Sequence, residues 1–125
     1  MSKSPELDVD TTLSGDVAIV AGIPASRKLP TLEQVRGPGS PRRIPLALPE
    51  TVVGRGTQAN VTIDSSLLSR RHVVFKRSGP ELTMTDLESQ NGVYVNAVKA
   101  SFAVLHEGDT IQVGDVVFVL HEAPV

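Results

Sequence analysis

The run LHEGDTIQVGDVVFVL, residues 105–120, decides the fold class. Val116, Phe118 and Leu120 alternate with Val117, Val119 and His121, the period of two that marks a β-strand. That strand is apolar on both faces, as strands in the middle of a sheet are. Ile111 and Val113 form the run before it, and EGD at 107–109 and VGD at 113–115 are turn signals. The same grammar continues toward the N-terminus. Leu82 and Met84 alternate with Glu81, Thr83 and Thr85, and Val73 and Phe75 with Val74 and Lys76. Ile44, Leu46 and Leu48 alternate with Pro45 and Ala47, and Pro45 suits an edge strand. GPGSP at 37–41, RSGP at 77–80 and SQNG at 89–92 are further turn signals. No stretch after residue 29 shows a helical face. Many short strands with closely spaced turns predict an all-β sandwich or barrel.

Composition narrows the function classes. The chain of 125 residues suits one domain and a tail. Charged residues are 21% and the formal net charge is −2, against the positive surplus that nucleic-acid binding needs. Aromatics are 3%, too few for a base-stacking platform. With no cysteine there is no disulfide, thiol nucleophile or cysteine-type zinc site. The apolar run Val17–Ala21 is too short to span a bilayer. Glu6, Asp8, Asp10 and Asp16 give the start of the chain the wrong charge for a signal peptide. These features predict a soluble, cytoplasmic protein with no membrane or nucleic-acid partner. Residues 1–28 are expected to form a flexible acidic tail, and 29–125 the domain. The run DVAIVAGIP in that tail reads equally as a short strand or a docking segment.

Three polar clusters fall in predicted loops at strand ends: Gly54-Arg55-Gly56, Ser69-Arg70-Arg71-His72, and Ser89-Gln90-Asn91-Gly92. Loops at one end of a sandwich can converge on one binding surface. Arg55 and Arg70 offer charge and planar donor forks, Ser69 a hydroxyl, and Asn91 both a donor and an acceptor. Two arginines beside a serine suit an anion rather than an acyl substrate. Ser69 and His72 show no nucleophile-elbow pattern, so a serine hydrolase is the remote reading. His72, His106 and His121 lack metal-ligand spacing. Neither a metal nor a cofactor is expected, nor enzyme activity.

Together VVGRG, LLSRRH and DLESQNGVYVN, with LHEGDTIQVGDVVFVL behind them, resemble the forkhead-associated (FHA) family over roughly residues 29–124. The resemblance implies an FHA-type β-sandwich of about eleven mostly antiparallel strands whose loops hold a phosphothreonine peptide. It implies that Arg55, Ser69, Arg70 and Asn91 bind the phosphopeptide, with Gln90 a further contact. It makes His72 a structural brace, Gly54 and Gly92 the residues of tight turns, and Asn96 a loop tie. Two positions depart from the family pattern: Gln90 and Val93 replace threonines in a Ser-Thr-Asn-Gly-Thr run. The longer Gln90 amide can still donate, and neither change removes the cradle. The expected role is a non-catalytic signalling module or adaptor downstream of a Ser/Thr protein kinase. Its partners would be phosphothreonine-containing proteins, the kinase or its substrates.

Two further readings stay open. One is a phosphorylation-switched regulator that binds unphosphorylated enzymes or assembly subunits through the same loops. The other is a structural subunit that uses a sheet face for assembly. The tail bears on the first. DVDTTLSG, residues 8–15, resembles the acidic-Thr-Thr motif of small actinobacterial FHA regulators of central metabolism. That resemblance implies phosphorylation at Thr11 or Thr12 and capture of the tail by its own domain. The alternative is a plain leader with incidental threonines. Of the remaining charges, Arg42, Arg43, Lys76 and Arg77 are expected to solvate strand ends and edges.

Overall fold

The computed structural model describes residues 29–122; residues 1–28 and 123–125, and with them the expected tail, the DVAIVAGIP run, Thr11 and Thr12, lie outside it. Eleven strands make up the described chain. They are β1 (Thr31–Arg36), β2 (Arg42–Pro45), β3 (Glu50–Gly54), β4 (Val61–Thr62), β5 (Val73–Ser78) and β6 (Glu81–Asp86). Then follow β7 (Val93–Val95), β8 (Val98–Lys99), β9 (Phe102–Leu105), β10 (Thr110–Val113) and β11 (Val116–His121). No helix among the described residues is long and apolar enough to cross a membrane.

The strands form two sheets, a six-stranded one in the order β8-β7-β10-β11-β1-β2 and a five-stranded one in the order β9-β6-β5-β3-β4. The apolar β11 lies inside its sheet, with Phe118 opposite Ile111 on one side and Leu120 opposite Leu32 on the other. β2, with Pro45, is an edge strand. Every described pairing is antiparallel except β3 with β4.

Period-two alternation sends one row of each strand inward. Val53, Val73, Phe75 and Met84 from one sheet meet Leu32, Ile111, Phe118 and Leu120 from the other. Phe75 and Phe118 pack edge to face, with ring centroids 6.4 Å apart and planes at 84°, the geometry their quadrupoles favour. Burying each such side chain stabilises the fold by roughly 1.5–3 kcal/mol.

The alternation from Ile44 holds in burial as far as Leu46, one residue past the end of the ladder. β2 ends at Pro45, Leu46 stays buried, and Leu48 is 48% exposed. Pro45 and Pro49 have no N–H to give a ladder, and the Leu46 N–H turns to the Pro30 carbonyl at 2.8 Å. Two arginines expected to be solvated are tied down instead. Arg77 Nη1 donates to the Leu46 carbonyl at 3.1 Å. Arg42 Nε donates to Oε1 of the fully buried Gln34 at 3.2 Å. The Gln34 amide donates in turn to the Pro38 carbonyl at 2.7 Å, so the buried amide is satisfied from both sides.

The sandwich has two distinct ends. The loops after β3, before β5 and before β7 gather at one end with the β10–β11 turn. The Ser78–Glu81 turn lies at the other, where Pro30 lines a groove with Gly79 and Pro80.

Candidate functional site

The β3 ladder continues past its last side-chain pair and zips two of the loops together. The His72 N–H donates to the Val53 carbonyl at 2.9 Å, the Arg55 N–H to the Ser69 carbonyl at 3.1 Å, and the Gly56 N–H to the Arg70 carbonyl at 3.1 Å. Gly54 makes this approach possible. A Cβ there would stand 2.1 Å from the Arg70 carbonyl oxygen, so the position requires glycine for backbone contact rather than for the tight turn expected of it. Gly92 does sit in a left-handed turn, at φ +79°.

His72 is fully buried where the loops meet. Its Nδ1 accepts the Ser69 N–H at 3.1 Å. That fixes the tautomer, so Nε2 carries the hydrogen and donates to the Gly92 carbonyl at 2.8 Å. One imidazole thus joins the second loop to the third and has no nitrogen left for chemistry. The third loop closes on itself: the Gly92 N–H donates to Ser89 Oγ at 2.9 Å and the Ser89 N–H to Asp86 Oδ1 at 3.0 Å.

A cleft of about 220 Å³ opens over this frame, lined by Arg55, Ser66, Leu67, Ser69, Arg70, Gln90 and Asn91 among others. All five residues expected to contact ligand therefore border one space. Ser69 Oγ accepts the Gln90 N–H at 3.1 Å, which leaves its hydroxyl hydrogen to donate outward. The Gln90 side chain is exposed. Asn91 Nδ2 donates to the Leu67 carbonyl at 2.8 Å. That aims the amide and leaves Oδ1 and one N–H for a ligand. Arg55 and Arg70 are exposed, and no described carboxylate lies within 4.0 Å of either.

Asn96 is a loop tie, but at the other end of β7 from Asn91. Its N–H donates to the Thr110 carbonyl at 2.8 Å, its Nδ2 to Asp109 Oδ1 at 3.0 Å, and its Oδ1 accepts the Thr110 N–H at 3.0 Å. It supports the sandwich rather than the cleft. Sequence reading also missed an anchor that does hold the cleft. Ser65 donates to Asp115 on the β10–β11 turn and accepts the Leu67 N–H at 3.2 Å. The pair is separated by 50 positions, and no local pattern announces it.

Among the described residues no group of three or more His, Asp or Glu side chains could hold a metal ion. The cleft offers donors and positive charge, and both nitrogens of His72 beneath it are bonded to backbone. Such a set is suited to an oxyanion.

Comparison with known proteins agrees with this chemistry. Residues 51–114 match the model of the FHA domain. The chain is 37% identical over 100 residues to the glycogen accumulation regulator GarA of Mycolicibacterium smegmatis, a match that takes in 80% of this chain and 62% of that protein. It is 33% identical over 109 residues to the oxoglutarate dehydrogenase inhibitor of Corynebacterium jeikeium, covering 87% of this chain and 74% of the inhibitor. Among solved structures, it superposes with a TM-score of 0.70 on a domain studied for phosphothreonine-dependent FHA domain interactions. There it shows 29% identity and covers 78% of this chain and 99% of that one.

Proposed function

The chain belongs to the FHA family, and from that premise we propose that it binds phosphothreonine peptides without catalysing a reaction. The observation that carries the reading is the convergence of Arg55, Ser69, Arg70, Gln90 and Asn91 on one cleft. A phosphate brings about −1.5 to −2 charges and three acceptor oxygens. Arg55, Arg70 and the Ser69 hydroxyl meet it, and Asn91 holds the peptide backbone beside it. Charge-assisted hydrogen bonds contribute roughly 1.5–3 kcal/mol each. A few of them, less the ordering cost, give micromolar affinity, about −8 kcal/mol. The protein acts as an adaptor or regulator downstream of a Ser/Thr kinase, in the cytoplasm.

Similarity to GarA and to the oxoglutarate dehydrogenase inhibitor favours a second, compatible reading. In it the same loops bind an unphosphorylated enzyme, and phosphorylation at Thr11 or Thr12 supplies a competing ligand from the chain itself.

One calorimetric experiment separates the cases. The unmodified full chain is titrated with a degenerate phosphothreonine peptide pool and with its unphosphorylated twin. Binding of the phosphorylated pool alone, lost in Arg55→Ala, is expected. Equal binding of both pools would overturn the phosphothreonine reading. The self-competing switch requires that the kinase-phosphorylated chain bind the pool more weakly than the unmodified chain.

A further inference from the structure

Arg71 is not part of the phosphothreonine cleft. It lines a neighbouring groove of about 360 Å³ with Arg55, Gly56, Thr57, Gln58 and Arg70. That groove is larger than the 220 Å³ cleft beside it, and the two share Arg55 and Arg70 as a common wall. Three arginines therefore border one concavity. None has a carboxylate within 4.0 Å among the described residues. Asp64 borders a separate hollow with Arg55, Ser65 and Ser66. Arginine stays protonated at any ordinary pH, so the cluster repels itself until an anion enters.

The groove is also built. Its floor is held by the Gly56 N–H on the Arg70 carbonyl, the Ala59 N–H on the Gly56 carbonyl at 3.2 Å, and Thr62 Oγ1 donating to the Gly56 carbonyl at 3.0 Å. Close packing enforces its shape: a Cβ on Gly56 would stand 3.0 Å from Arg70 Cβ. The exposed Thr57 and Gln58 add a hydroxyl and an amide that can donate. Arg55 and Arg70 line both spaces, whereas Arg71 lines the groove and not the cleft.

We propose that this groove is a second anion subsite, which takes an acidic side chain or a second phosphate carried on the same peptide as the phosphothreonine, and that Arg71 is the residue that reads it. The inference rests on the phosphothreonine reading and sharpens it into a preference for acidic or multiply phosphorylated sequences.

The test uses the unmodified full chain and three sets of synthetic peptides on one neutral sequence. The first carries a single phosphothreonine, the second adds one Asp at each nearby position in turn, and the third adds a second phosphothreonine there. Affinity is expected to rise about tenfold at one or two positions, the worth of a charge-assisted pair. In Arg71→Gln the ratio of acidic-peptide to neutral-peptide affinity is expected to fall toward one. A gain with Asp identifies an acidic peptide as ligand, and a gain confined to the second phosphate identifies a doubly phosphorylated one. No gain at any position, or a gain that survives Arg71→Gln, overturns the subsite while neutral phosphopeptide binding leaves the parent reading standing. Failure of the neutral phosphopeptide to bind wild-type chain sinks both.

Discussion

At the scale of the residue, the site divides into side chains that face an open cleft and one that faces none. Arg55, Ser69, Arg70 and Asn91 present donors to an open cleft, whereas His72 spends both ring nitrogens on backbone groups of two loops. His72→Ala is expected to remove a fully buried ring and orphan the Ser69 N–H and the Gly92 carbonyl. The expected loss is about 3 kcal/mol of unfolding free energy, read as a lower urea midpoint, with peptide affinity falling alongside. Weakened binding at unchanged stability would instead place the imidazole at the ligand. The cleft-lining residues are legible in the sequence because they form polar clusters at strand ends. The frame beneath them is not. Gly54 looks like a turn glycine until the Arg70 carbonyl is seen packed against it. Ser65 and Asp115 look like ordinary loop polars until the fold brings them together.

At the scale of the element, strands that alternate strictly were legible and those set by long-range pairing were not. β11 follows the period of two in both sequence and burial, whereas β5 and β6 alternate in sequence but bury three consecutive residues each, Val73 to Phe75 and Leu82 to Met84. The two-residue strand β4 is set by its parallel pairing with β3, and the ladder of β2 stops at Pro45, beyond which Leu48 is exposed. The β7–β8 hairpin holds a further lesson. Asn96 and Ala97 have φ of 50° and 71° between the paired Val95 and Val98. This is the pattern of a type I′ turn, in which the second place favours glycine. Ala97 carries the steric cost of a Cβ in the left-handed region. Ala97→Gly is therefore expected to raise unfolding free energy by about 0.5–1 kcal/mol, measured by urea unfolding. A lowered midpoint would mean that this strain does not govern the turn.

At the scale of the whole molecule, alternation predicts two layers but not which strands share a layer. The order β8-β7-β10-β11-β1-β2 seats β1 beside β11, nearly the full described chain apart in sequence. Only the apolar residues on both faces of β11 hint that another strand must pair with it there. This closure also fixes where the chain enters. Pro30 lies beside Gly79 and Pro80, at the end of the sandwich away from the cleft lined by Arg55, Ser69 and Asn91. A six-residue strand such as β1 advances about 20 Å at 3.3 Å per residue. With its flanking loops, the path from Pro30 to the cleft is about 25–30 Å. Entry at the wrong end therefore sets a tether length for any phosphothreonine in the first residues. Thr12 and Leu29 are 17 positions apart, and a chain of that length reaches about 55–60 Å when extended. Excising about four residues between them should leave the proposed self-occlusion intact. Excising about ten should abolish it, because the remainder reaches only about 25 Å. Whether the chain can silence itself would then be a matter of the ruler between its ends and not of its recognition chemistry.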